Sequence, residues 1–315
     1  MGSRDYFRAK GRLLMASLRH TGIAWLALLA GFAPAQAATF GAGIENSRWF
    51  TSESIFDCTI SHEIPGYGRA IFQHRAGENL RFVLEAPLAM MQTGTGALVI
   101  EAPAWRPGAD VRPLGGVEIR SGARPVDIGG NQAMAIVSGL LEGMAPTITR
   151  QSSYNPGVVR VRLSNINFHQ AFQSYQRCVT NLLPVNFDQV QRSRILFAVN
   201  SQNLSDRDQA QLDNIVTYIL ADNTVTRVFI DGHTDRSGSR ITNRVISEER
   251  ATAVANYLLS RGLPEDLLIV RAHGDQFPVS NRPAENRRVT IRLEREGDNP
   301  PLRQAAQGGT SFNGS

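Results

Sequence analysis

Cysteine is nearly absent from the chain: Cys58 and Cys178 are the only two in 315 residues. Neither has a Cys or His partner at finger-like spacing, which sets a structural zinc site aside. Long apolar runs are scarce. After residue 37 no stretch approaches the roughly 20 apolar residues of a transmembrane helix. A Gly-x-Ser-x-Gly nucleophile elbow, a phosphate loop and a His-x-x-x-His pair are also missing. Hydrolytic and nucleotide-dependent chemistry lose their usual signatures, so an enzyme is not expected and no cofactor is called for. A concentrated basic surface is lacking too. The formal charge is +5, but residues 1–37 hold Arg4, Arg8, Lys10, Arg12 and Arg19 against Asp5, which leaves the remainder near neutral. Phosphate-backbone binding needs concentrated positive charge, so nucleic acid is not an expected partner.

What is present starts with those first 37 residues. Basic residues up to Arg19 precede an apolar run from Ile23 to Ala33, and Ala35-Gln36-Ala37 offers an Ala-x-Ala cleavage site. This is the pattern of a secretory signal peptide over residues 1–37, with Met15 as a second candidate start; a retained membrane anchor is the alternative. No Cys follows the cleavage site, which argues against an acylated lipoprotein. In an exported chain, two cysteines form either one disulfide or two separate buried thiols, and export favours the disulfide. Closing a loop of about 120 residues stabilises by up to about 4–5 kcal/mol in the chain-entropy model.

Residues 38–185 read as mostly β. Alternation marks Leu80–Glu85, Ala97–Ile100 and Val158–Leu163, with Pro and Gly punctuating the intervals. Ala133–Leu141 and Phe168–Leu183 carry helical spacing, and the second of these places Cys178 inward. Residues 186–296 alternate strands and helices. Ile195–Val199 reads as a strand, Ser205-x-x-Asp208 as a capping box opening a helix to about Ala221, and Val228–Ile230 as a buried strand. A helix ends near Gly262, and Leu267–Val270 and Val289–Leu293 are further strands. The fold class is α+β: an antiparallel β domain, sheet or barrel with one or two helices, followed by an α/β sandwich with helices on one sheet face. Residues 297–315 are rich in Gly, Gln, Asn and Ser and read as a flexible tail.

The most informative stretch is Ile230-Asp231-Gly232-His233-Thr234-Asp235 and the helical segment after it. Asn243, Ser247 and Arg250 fall within roughly 60° of one another on that helix. A carboxylate at a strand end and a guanidinium on the next helix suit a zwitterionic ligand: Asp235 for an ammonium group, Arg250 for a carboxylate held by two parallel hydrogen bonds. An intradomain Asp235–Arg250 ion pair is the plainer alternative. Asn243 either caps the helix or orients ligand. Thr234 and Ser247 serve either as hydroxyl donors or in turn and helix-start roles, and Arg288 is either added site charge or a solvated strand residue. His233, Asp235 and His273 are residue types of a hydrolytic zinc site, but their spacing is wrong for it. His233 is expected to point inward as a structural histidine.

The run Gly232-His233-Thr234-Asp235-x-x-Gly238, then Asn243-x-x-x-Ser247-x-x-Arg250-Ala251, Val254, Tyr257-Leu258 and Gly262-Leu263, resembles the OmpA-like peptidoglycan-binding domain. Asn286-Arg287-Arg288-Val289 is similar to that family's last strand, and Phe197-Ala-Val-Asn-Ser201 to its first. Ile246 stands where the family usually has Leu. The resemblance implies that Asp235 and Arg250 clasp the diaminopimelate of the cell-wall stem peptide. Upstream, Asp57-Cys58-x-Ile60-x-His62-x-Ile64-Pro65-x-Tyr67-Gly68-x-Ala70-x-Phe72, Pro103–Gly108 and Tyr175-Gln176-x-Cys178-Val179-x-Asn181-Leu182-Leu183 resemble the amino-terminal domain of the MotY family of flagellar motor proteins. That resemblance implies a periplasmic component of the ring around the flagellar basal body. Its first domain would associate with the basal body and its second with peptidoglycan, which would help hold the stator proteins in place. The family's two cysteines match Cys58 and Cys178. A general envelope tether unrelated to flagella is the alternative function.

Overall fold

The computed structural model describes residues 37–298, apart from Ala104. Of the expected leader over residues 1–37 and the expected tail over residues 297–315, residues 1–36 and 299–315 lie outside the described residues. Among the described residues no helix is long and apolar enough to cross a membrane.

The first half runs β1 (Ala38–Phe40), β2 (Trp49–Glu53), β3 (Asp57–Ile64), β4 (Gly68–Arg75), β5 (Arg81–Glu85), β6 (Gly94–Glu101), β7 (Arg112–Ile119), β8 (Val126–Gly129), α1 (Gly130–Leu141), β9 (Ala145–Gln151), β10 (Val158–Arg162) and α2 (Phe168–Val179). Alternation sets the faces. On β3, Cys58, Ile60, His62 and Ile64 are buried while the residues between them are not. The strands make two five-stranded sheets, β1-β10-β9-β6-β7 and β2-β3-β4-β5-β8. Every pairing is antiparallel except β1 with β10. Neither sheet closes, so of the two expected forms the structure takes open sheets and not a barrel. Ile60, Phe72 and Phe82 of one sheet, Leu98 and Ile148 of the other, Ile136 of α1 and Phe168 of α2 share one core.

Cys58 on β3 and Cys178 on α2 form a disulfide, with their Cα atoms 5.9 Å apart. α2 stops at Val179, short of the expected Leu183. Asn181 N–H turns back to the Cys178 carbonyl, and Leu183 N–H donates to the Ile55 carbonyl, which draws the chain away from the helix axis.

The second half runs α3 (Phe187–Val190), β11 (Arg192–Leu196), α4 (Asp206–Ala221), β12 (Val225–His233), α5 (Arg240–Ser260), β13 (Leu268–Ala272), α6 (Pro283–Asn286) and β14 (Arg288–Arg295). Its sheet has the order β11-β14-β12-β13, with β12 and β13 parallel. Leu212, Ile215 and Ile219 of α4 and Ala251, Val254 and Leu258 of α5 pack on Ile195, Val228, Ile230, Val289 and Ile291. α4 begins at the expected capping box: Ser205 Oγ accepts from Asp208 N–H, and Asp208 accepts from Ser205 N–H. β11 starts three residues before the expected Ile195. Asn200, at φ +52°, turns the chain out of extended conformation and leaves Val199 exposed.

The two cores meet at a small joint. Phe56 lies 5.7 Å from Tyr218, and Asn186 Nδ2 donates to the Ala76 carbonyl at 2.9 Å. Arg75 and Asp188 form an ion pair at 2.6 Å.

Candidate functional site

The site forms where β12 ends against α5. Gly232 makes this possible, because a Cβ there would lie 1.9 Å from the Ser247 carbonyl oxygen. No other residue lets α5 lie so flush on the strand. Thr234 N–H then donates to the Gly274 carbonyl at 2.8 Å, which fixes the turn. Gly238, at φ +84°, redirects the chain into α5. The helix is capped by Ser239, whose Oγ accepts from Thr242 N–H; Asn243 is not the cap.

A cavity of about 190 Å³ opens at this corner, lined by Thr234, Asp235, Asn243, Ile246, Arg250 and Arg287, among others. Four of the sequence-predicted residues therefore come together: Thr234, Asp235, Asn243 and Arg250. Ser247 does not line the cavity. Its Oγ donates to the Arg244 carbonyl at 2.8 Å and accepts from Gly274 N–H at 3.0 Å, which ties α5 to the loop after β13. Arg288 does not line it either. Its guanidinium is buried on the far face of the sheet and donates to the Phe277 carbonyl at 3.0 Å.

Arg287 is the residue that sequence reasoning missed. Its Nη1 pairs with Asp235 Oδ2 at 2.9 Å, with both side chains largely buried. The signal was there: Val289 and Ile291 face the helices, so a period of two puts 287 on the site face and 288 on the other. The ion pair that the plainer alternative set between Asp235 and Arg250 is made by Arg287 instead. Burial alone would push the Asp235 carboxyl up, but hydrogen bonds from Arg287 and Ser237 outweigh it and hold the carboxyl below its ordinary value.

Arg250 is 2% exposed. Nε donates to the Ser201 carbonyl and Nη2 to the Ala198 carbonyl, each at 3.1 Å, and the guanidinium lies 5.5 Å from the Phe197 ring centroid. Burial lowers its pKa, with Arg287 adding to the effect. Two nitrogens of the fork are therefore committed to the loop after β11, and the expected two-nitrogen grip on a ligand is reduced to what Nη1 and the remaining Nη2 hydrogen offer. Arg250 Nη1, Asn243 Nδ2 and Thr234 Oγ1 are buried without a hydrogen-bond partner among the described residues. All three belong to residues lining the same cavity. Leaving one such group unpaired costs about 1–3 kcal/mol, so three at one cavity suit a polar ligand.

His233 is buried, as expected, on the sheet face opposite the helices. It stacks on His273 with ring centroids 5.0 Å apart. His273 Nε2 lies 2.9 Å from Asp231 Oδ1. Among the described residues no group of three His, Cys, Asp or Glu side chains gathers as a metal site. Asp235, tied to Arg287, is separate from the two histidines.

Residues 40–184 match the family described as the MotY N-terminal domain, and residues 196–292 match the OmpA family. The sodium-type flagellar protein MotY of Vibrio parahaemolyticus is 27% identical over 262 residues, covering 80% of this chain and 88% of that protein. Outer membrane protein A of Escherichia fergusonii is 35% identical over 96 residues, which span 30% of this chain and 40% of that protein. The peptidoglycan-associated lipoprotein from Burkholderia pseudomallei aligns with 32% of this chain and 89% of its own, at 24% identity and a TM-score of 0.31. The chain is therefore a MotY N-terminal domain followed by an OmpA-family domain.

Proposed function

We propose that this chain is a non-enzymatic periplasmic component of the flagellar motor that holds peptidoglycan through the cavity between β12 and α5. The observation that carries the binding reading is the convergence of Arg250 Nη1, Asn243 Nδ2 and Thr234 Oγ1, all buried and unpaired, beside the Asp235 carboxylate. A diaminopimelate residue has the matching groups: a carboxylate for the donors of Arg250 and Asn243, and an ammonium group for Asp235. The clasp would be non-covalent, and many copies in a ring would make individually weak sites hold by avidity.

The motor reading rests on the first domain and on the order of the two. In this reading residues 38–185 dock on the basal body and residues 186–296 on the wall, so that the stator units push against a covalent network.

The test is co-sedimentation of the mature chain with purified diaminopimelate-type peptidoglycan, competed by free diaminopimelate. Pelleting that survives competition and is equal on lysine-type wall rules the clasp out. For the motor role, residues 38–185 are mixed with isolated hook-basal bodies. If neither that fragment nor the mature chain sediments with them, a general envelope tether replaces the flagellar assignment.

A further inference from the structure

β11 is an edge strand of the second sheet, paired on one side only. Phe197 N–H donates to the Arg287 carbonyl at 2.9 Å and Leu293 N–H to the Gln191 carbonyl at 3.0 Å. In an antiparallel ladder, bonded and non-bonded pairs alternate. The odd-numbered residues of β11 therefore bond β14, and the N–H and C=O groups of Arg192, Arg194 and Leu196 point away from it. The side chains of those three residues are exposed on the face opposite the helices, because Ser193 and Ile195 are buried between them. An open edge of this kind is a template for strand addition.

Charge selects what can add. The register sets Arg192 opposite Arg292, and Leu196 opposite Arg288. Like charges directly opposed across a ladder are destabilising. Asp231 and Glu294, the acids on this face, are already engaged: Arg271 and His273 hold the first, and Arg227 and Arg292 the second. Arg192 and Arg194 have no carboxylate within bridging distance among the described residues. Arg288 is 4% exposed and donates only to carbonyls. The edge thus combines uncompensated positive charge with unpaired main-chain groups.

We propose that β11 is a docking edge for an extended acidic segment of a partner protein. The segment adds as an antiparallel strand, with an apolar residue opposite Leu196 and acidic residues opposite Arg194 and Arg192. Alternate side chains on a strand are about 6.8 Å apart, so acids two residues apart match the spacing of the two arginines. A phosphate-bearing lipid would meet the charge but leave the N–H and C=O groups of the edge open. A polypeptide satisfies both.

The test uses the mature chain and a fluorescein-labelled peptide, Thr-Val-Thr-Glu-Thr-Glu-Thr, read by anisotropy. Binding is expected, weakened about tenfold or more when both Glu are Gln. N-methylation of the Val or Glu backbone nitrogens, which face β11 in this pairing, abolishes binding, whereas N-methylation of the Thr between the two Glu leaves it. The double variant Arg192→Glu/Arg194→Glu loses the Glu peptide and takes up its Lys counterpart. Equal binding of the Glu and Gln peptides overturns the proposal. So does indifference to Glu N-methylation, which is the mark of ionic adsorption. No peptide binding, together with phosphatidylglycerol-vesicle binding that the double variant loses, overturns it in favour of a membrane surface. The peptide series is read on the wild-type chain, so the outcome does not depend on how the double variant folds.

Discussion

Asp235 and Arg287 are joined through Oδ2 and Nη1 at 2.9 Å, so the carboxylate at the end of β12 is neutralised from β14 and not from α5. In the proposed clasp a ligand ammonium group would share Asp235 with Arg287, and a ligand carboxylate would meet two guanidiniums against one carboxylate. Asp235→Asn keeps the shape and removes the charge. Co-sedimentation with peptidoglycan is expected to fall about tenfold or more, with the far-ultraviolet circular dichroism unchanged.

Arg287→Ala tests the pairing by pH. The Asp235 carboxyl is held below its ordinary value in the folded chain, so it stays ionised, and wall binding stays level, as pH falls from about 8 to about 5. Without Arg287 the burial that remains pushes the carboxyl up. Binding by the variant should then begin to fall at a higher pH than in the wild type. Parallel pH profiles of the two proteins would show that the pair does not set the carboxyl's ionisation.

Arg250 has a structural share that Asp235 lacks. It holds the Ala198 and Ser201 carbonyls from a buried position, so Arg250→Ala should lower stability by about 2–4 kcal/mol as well as abolish binding. Urea melts of the second half checked by tryptophan-independent probes, such as far-ultraviolet circular dichroism, measure the first effect. Asn243→Ala, which removes one unpaired nitrogen and no bond to the fold, should weaken binding without that penalty.

Cys58 and Cys178 close a loop with a sequence separation of 120. Cys58→Ser/Cys178→Ser should lower the stability of the first half by up to about 4–5 kcal/mol. The second half has its own core and should keep its wall binding. Limited proteolysis followed by co-sedimentation separates the two: early cleavage within residues 38–185 and retention of a wall-binding fragment are expected.

His233 gives the second half an acid limit. Burial first, then the neighbouring Arg288, lowers its pKa to about 4. The unfolded chain holds the proton more tightly, so the stabilising neutral form is fully present above about pH 6.5 and its contribution is lost as pH falls toward about 4. The loss is at most about 3 kcal/mol. Urea midpoints at about pH 7 and about pH 4.5 should differ more in the wild type than in His233→Gln.

The sequence by itself determined the local structure and four of the residues that line the site. Alternation on β3 and around Val158, the Ser205–Asp208 cap and the turn at Gly238 all act through neighbours in the chain, so they are legible without a fold. Asp235, Thr234, Asn243 and Arg250 were legible because one strand end and one helix face bring them together, and both periodicities are short-range. Only tertiary structure decided who pairs with whom. Arg287 reaches Asp235 across a separation of 52 residues, and Arg250 spends its fork on a loop 49 residues earlier. Ser247 and Arg288 carry the right chemistry but are turned to other partners by helix phase and strand register. Sheet closure was likewise undecided by pattern, because an open sheet and a barrel share the same alternation and differ only in whether the edge strands meet.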